Sequence, residues 1–129
     1  MPNLAESVLE ILRGHPLVKD VRVVEFDETP AGSVELKVRC RMGGDYQFQV
    51  WIHAEADSLD YSFQLFSDGP ILRWDNAPHY PNIATSPHHF HDERGRVSKS
   101  PMKGDLPKNL KTALGLIEKW LEKSNADKT

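Results

Sequence analysis

Four of the six histidines in this chain, His79, His88, His89 and His91, fall within thirteen residues of one another, with Arg73, Asp75 and Asn76 just ahead of them. Histidine is the side chain whose ordinary pKa, about 6.5, lets one copy accept a proton while another donates one near neutrality. The cluster is internal, so it is not a purification tag. Two kinds of chemistry compete for it. In the first, histidines do general acid–base work on a phosphodiester, while Arg73, Arg94, Arg96 or Lys99 holds the phosphate by charge-assisted hydrogen bonds. That is metal-independent RNA cleavage, in which the 2′-hydroxyl itself attacks and no cofactor is needed. The catalytic set is then His79, His88, His89, His91 and Asp75, and the substrate-binding set Arg73, Asn76, Arg94, Arg96 and Lys99. In the second, His88, His91 and His79, with His89 or Asp75 as further donors, bind zinc or nickel through neutral imidazoles. The His88 to His91 spacing serves a metal only where the backbone turns helically or a loop converges, and no established zinc-protease or zinc-finger spacing is present. A metal needs every imidazole neutral, whereas an acid–base pair needs one of each form and gives a bell-shaped pH profile. A solvated loop that serves only as a metal- or protein-binding module is the alternative to catalysis.

Charge supports an anionic ligand at this segment. The chain is acidic by net −3, but residues 69–104 carry five basic side chains against three acidic ones before any histidine is counted. The region is therefore locally cationic on an acidic body. Asp75-Asn76-Ala77-Pro78 is strong turn chemistry at the end of a strand, so Asp75 and Asn76 are expected to organise the loop, with Asp75 orienting an imidazole.

The elements that must hold these residues are legible from periodicity. Leu4, Val8, Leu9, Ile11 and Leu12 fall at helical spacing, and Gly14 and Pro16 stop the pattern. Val21 to Phe26 reads as a strand, followed by a turn at residues 29–33. Val34, Leu36, Val38 and Cys40 then alternate strictly with Glu35, Lys37, Arg39 and Arg41. After the Gly43-Gly44-Asp45 turn, Tyr46, Phe48, Val50 and Ile52 share one face; Tyr61, Phe63 and Leu65 resume the alternation, and Ile71 to Trp74 follows. Short turns between five strands predict an antiparallel meander. The 26 residues from Asp75 to Ser100 show neither period and read as a long His-rich loop. Asp105 caps a final helix whose stripe is Leu110, Ala113, Leu114, Ile117, Trp120 and Leu121, ending near Lys123. The expected architecture is α+β, with N-terminal and C-terminal helices packed on one sheet face, and a single domain over residues 1–129.

Other features have plainer roles. Cys40 is the only cysteine, so no intrachain disulfide or cysteine zinc cage can form, and its strand position predicts a buried, inert thiol. Gly43-Gly44 is a hairpin turn and not a phosphate cradle, because no helix follows it. The polar strand face of Lys37, Arg39, Arg41, Gln47 and Gln49, with Trp51 and His53 alongside, could grip RNA, although such a face is commonly just solvated. Ser98 and Ser100 lack a neighbouring acid–base pair and are not expected to be nucleophiles.

The stretch Arg73-Trp74-Asp75-Asn76-Ala77-Pro78-His79-Tyr80-Pro81, continued by Ile83-Ala84-Thr85-Ser86-Pro87-His88-His89-Phe90-His91, resembles the TumE family of small prokaryotic toxin–antitoxin proteins. That family's signature is similar: an arginine, an aromatic, Asp-Asn-Ala-Pro-His, a spacer, Thr, Pro-His-His and a further His. Ser86 departs from it, standing where a bulkier residue is expected. The resemblance implies a toxin encoded beside a DNA-binding, helix-turn-helix antitoxin. RNA cleavage is inferred from the histidines alone. With 39% hydrophobic and 27% charged residues, no long apolar run and no basic leader, the expected setting is cytoplasmic, without membrane contact.

Overall fold

Alternating apolar and polar residues give a strand one face to bury, and in this chain the buried faces all fall on the same side of one sheet. The computed structural model describes residues 3–127. It contains α1 (Leu4–Gly14), β1 (Lys19–Glu28), β2 (Val34–Arg41), β3 (Gln47–Glu55), β4 (Ser58–Phe66), β5 (Pro70–Asp75), β6 (His89–His91), β7 (Val97–Lys99) and α2 (Leu106–Asp127). The seven strands form one antiparallel meander in chain order. Five strands were expected; β6 and β7 lie inside the segment read as a loop. Each is three residues long, too short for a period to register in sequence.

Leu36, Val38, Phe48, Val50, Phe63, Leu65 and Trp74 point to the side that the helices cover, where Val8, Leu12, Leu110, Leu114 and Ile117 complete the core. Val34, expected inside, is only half-buried at the start of β2. Cys40 is buried, and burial pushes its thiol pKa up to about 12, which leaves it inert at neutral pH. Asn3 caps α1 by accepting a hydrogen bond from the Glu6 amide, and Asp105 caps α2 by accepting one from Lys108. Gly43 and Gly44 turn the β2–β3 hairpin with φ of 87° and 55°, a region that glycine enters without a steric penalty.

Trp120 is half-buried at the edge of the core, packed edge-on against Tyr46, and its indole N–H donates to Glu93 in the β6–β7 turn. Because the ring is not sealed, Trp120→Ala is expected to cost about 1–2 kcal/mol, below the ~3–5 kcal/mol of a fully buried tryptophan. Urea denaturation measures this, and a loss above about 3 kcal/mol would mean the ring is a core member.

Candidate active site

The sheet's second face is open, and its register assembles the candidate residues. Direct cross-strand partners lie side by side about 4.8 Å apart, so an unbroken chain of partners makes a row across the sheet. One row runs Arg39, Gln49, Gln64, Arg73, His91; its neighbour runs Lys37, Trp51, Ser62, Asp75, His89, Lys99. Arg73 thus faces His91 across the β5–β6 ladder, and Asp75 faces His89. These four residues, whose cross-strand partners are 14 and 18 positions apart in sequence, form one cluster.

Asp75 is its centre and is only 2% exposed. One carboxylate oxygen, Oδ1, accepts the Ala77 amide at 3.0 Å and lies 3.0 Å from His89 Nε2. The other, Oδ2, accepts from Arg73 Nε at 2.7 Å and lies 3.6 Å from His91 Nε2. Residues 76–88 fold back over this end of the face. Tyr80 packs against both His89 and His91, with ring centroids 4.7 Å and 5.9 Å away. His89 is consequently sealed, while His91 keeps part of its edge exposed. His91 has its pKa lowered, first by burial and then by the Arg73 charge, so it is biased toward the neutral form. Clefts of about 380 Å³ and 180 Å³ flank the cluster, the first lined by Asp75 and Trp51, the second by His91 and Gln64, and Arg73 lines both.

The alternation His88, His89, Phe90, His91 splits the histidines between the two sheet faces. His88 lies on the helix side, where its ring stacks on Tyr61 and its Nδ1 is 2.8 Å from the Tyr61 hydroxyl. Burial is the main cause that lowers its pKa, and burial likewise raises that of Tyr61. His79 is exposed in the covering loop. The set His79, His88 and His91, weighed from sequence as metal donors, is therefore not brought together; His89 and Asp75 stand beside His91 instead. Asn76 ties the loop down, accepting from the Tyr61 amide at 3.0 Å and donating to the Leu59 carbonyl at 2.7 Å. Arg94 and Arg96 build a turn around Asp92, Arg96 through an ion pair at 2.9 Å, and both are exposed. Lys99 is exposed at the end of the Asp75–His89 row. Sequence reasoning missed Tyr80 and Tyr61.

The arginine, the aspartate and the clustered histidines lie within a segment that a family model spans: the model for toxin TumE matches residues 8–122. The chain belongs to the TumE toxin family. Among curated proteins and among solved structures none matches it. As a TumE toxin it has an antitoxin as its implied partner. Among the described residues of this TumE chain, no helix is long and apolar enough to cross a membrane.

A second histidine site on the open face is separate. His53 Nδ1 lies 2.6 Å from Glu35 Oε2 and its Nε2 3.1 Å from Glu55 Oε1; these hydrogen bonds, Glu35 first, raise its pKa. A raised folded-state pKa means that the stabilising contribution is full below the unfolded value of about 6.5 and is lost as pH rises through the folded one. His53→Ala is therefore expected to lower Tm more at pH 6 than at pH 9. Equal losses at the two pH values would remove the charge from the interaction.

Proposed function

We propose that this chain is a toxin that arrests growth in the cytoplasm by cleaving RNA, with the phosphodiester held beside Arg73 and His91, and that a helix-turn-helix antitoxin encoded nearby neutralises it. The observation that carries this reading is the cross-strand pairing of Arg73 with His91 at the end of the row that begins at Arg39. Four strand spacings make that row about 19 Å long. It offers guanidinium and amide groups to a phosphate backbone, and Trp51 in the next row offers a ring for a base to stack on. Asp75 orients the Arg73 guanidinium through Nε, and the arginine lines both clefts where a phosphate could sit.

The reaction is transesterification. The 2′-oxygen bonds to phosphorus and the bond from phosphorus to the 5′-oxygen breaks. The 2′-hydroxyl proton passes to a base, and the departing 5′-oxygen takes up a proton. In the metal-independent scheme one imidazole is the base and another the acid, with Asp75 holding them and Asn76, Arg94, Arg96 and Lys99 contributing to substrate binding. His91 suits the base, since it is part-exposed and biased toward neutrality. A second reading is favoured by burial: His89 is 1% exposed and His88 faces the other side of the sheet, so neither reaches the same phosphate as His91. In that reading the imidazoles of the open face would hold a metal ion, which would supply a base for the 2′-hydroxyl proton.

Induced expression of the chain alone in a bacterial host, with mapping of RNA ends, tests the function. Growth arrest accompanied by new cuts ending in 2′,3′-cyclic phosphate and 5′-hydroxyl is expected. Arrest with an intact RNA pool overturns RNA cleavage. Arg73→Ala is expected to slow cleavage by at least ~100-fold through loss of phosphate positioning, with the chain still folded. An unchanged cutting rate would remove Arg73 from substrate binding.

A further inference from the structure

Among the described residues, the buried side-chain polar atoms that lack a hydrogen-bond partner are His89 Nε2 and His91 Nε2. Buried polar atoms are nearly always satisfied, so two orphans on adjacent imidazoles require an explanation. Proximity to Asp75 is not one. His89 Nε2 is 3.0 Å from Asp75 Oδ1, but the direction of its ring N–H misses the oxygen, and no hydrogen bond results. The tautomer sharpens the point. His89 Nδ1 lies 3.0 Å from the Pro87 carbonyl, which can only accept, so the proton of the neutral ring sits on Nδ1. Nε2 then carries a lone pair, and it lies close to a carboxylate oxygen that also carries lone pairs. Two lone pairs in a sealed site repel unless a cation, a proton or a metal ion, stands between them.

We propose that Asp75, His89 and His91 form a binding site for a divalent transition ion, built on the pairing of β5 with β6. The three donor atoms lie within 4.8 Å of one another. With ligand bonds of about 2.0–2.2 Å, donors around a tetrahedral or octahedral ion sit roughly 2.9–3.6 Å apart. Asp75 meets His89 Nε2 through Oδ1 at 3.0 Å and His91 Nε2 through Oδ2 at 3.6 Å, both within that range, and the wider separations in the set, up to 4.8 Å, must close when an ion loads. The Nδ1–H to carbonyl hydrogen bond of His89 is the orientation that metal-ligating imidazoles adopt, since it fixes the lone pair of the opposite nitrogen. Two nitrogens and one carboxylate suit zinc, manganese or iron(II), and three protein donors leave coordination positions for water or a phosphate oxygen. Arg73, whose Nε bonds Asp75 Oδ2, would hold the other oxygens of that phosphate. The ion site rests on this geometry alone. Its use in RNA cleavage rests on the function proposed above.

The test uses the full chain, stripped with a chelator and titrated with zinc, and in parallel with manganese, by calorimetry. One equivalent bound at micromolar or tighter Kd, with a rise in Tm, is expected for at least one of the two ions. His91→Ala and Asp75→Asn should each weaken binding by at least ~100-fold. His53→Ala, which removes the other imidazole flanked by carboxylates, should leave it unchanged. Because His89→Ala removes a sealed ring from this end of the sheet, nitrogen NMR of the wild-type rings provides the independent readout: both Nε2 resonances of His89 and His91 should shift on loading. Absence of stoichiometric binding by either ion, or loss of binding in His53→Ala with retention in His91→Ala, overturns the site. RNA cleavage by a chain that binds neither ion overturns the site and leaves the RNA reading standing. One bound equivalent with RNA left intact does the reverse.

Discussion

Asp75→Ala is expected to abolish growth arrest in cells that express the chain alone, and to reduce RNA cleavage by at least ~100-fold in vitro. No other side chain of the cluster touches as much of it. The carboxylate meets the Ala77 amide, the Arg73 guanidinium and both open-face imidazoles, and it is almost wholly buried. Removing it leaves the Ala77 amide without its acceptor and the loop over residues 76–88 held by Asn76 without the Asp75 anchor beside it, which costs about 1–3 kcal/mol of stability. The Arg73 pair itself adds little to that figure, because the arginine side chain is 42% exposed and screened by water. Asp75→Asn separates the two effects. An amide oxygen still accepts from Ala77, so the fold is kept, but the negative charge that orients Arg73 and balances the imidazoles or their ion is gone. Melting curves and growth assays on the two variants check this together. Full toxicity in Asp75→Asn would remove the carboxylate from the mechanism.

Trp74→Ala is the substitution expected to damage stability most, by about 3–5 kcal/mol. The ring is 2% exposed, lies between its cross-strand partners Phe63 and Phe90, and stacks on Phe90 with centroids 5.0 Å apart. Domains of this size have a total stability of about 5–15 kcal/mol, so the loss is about a fifth or more of what holds the fold. A drop in Tm of roughly 10–20 °C follows for a chain between the small and large reference sizes. The site should fail with it, because Trp74 separates Arg73 from Asp75 in sequence and fixes β5 against the short β6. A denaturation midpoint close to wild type would show that the β5–β6 pairing has other support.

The sheet and both helices were legible because each buries a face through many residues. The alternation from Val34 to Cys40 and from Phe48 to Ile52 spans enough positions for period two to stand out, and the stripe from Leu110 to Leu121 does the same for period 3.6. The segment from Asp75 to Ser100 was also legible as the region of interest, through its histidines, its local positive charge and its resemblance to a toxin family that the comparison then bore out.

What the sequence could not show was which histidines work together. Counting positions made His79, His88, His89 and His91 equivalent as acid–base candidates. Membership is decided by the strand that His89-Phe90-His91 forms, and that strand exists only because β5 offers it a ladder. Once paired, the pleat sends His88 under the sheet to Tyr61 and keeps His89 and His91 above it, opposite Asp75 and Arg73. A three-residue strand has no period of its own to read. By itself the sequence determined the chemistry available, the core, and the family to which this chain belongs. Tertiary pairing across 14 to 18 residues decided which of those groups share a face, because hydrogen bonds between strands, and not distance along the chain, set the register.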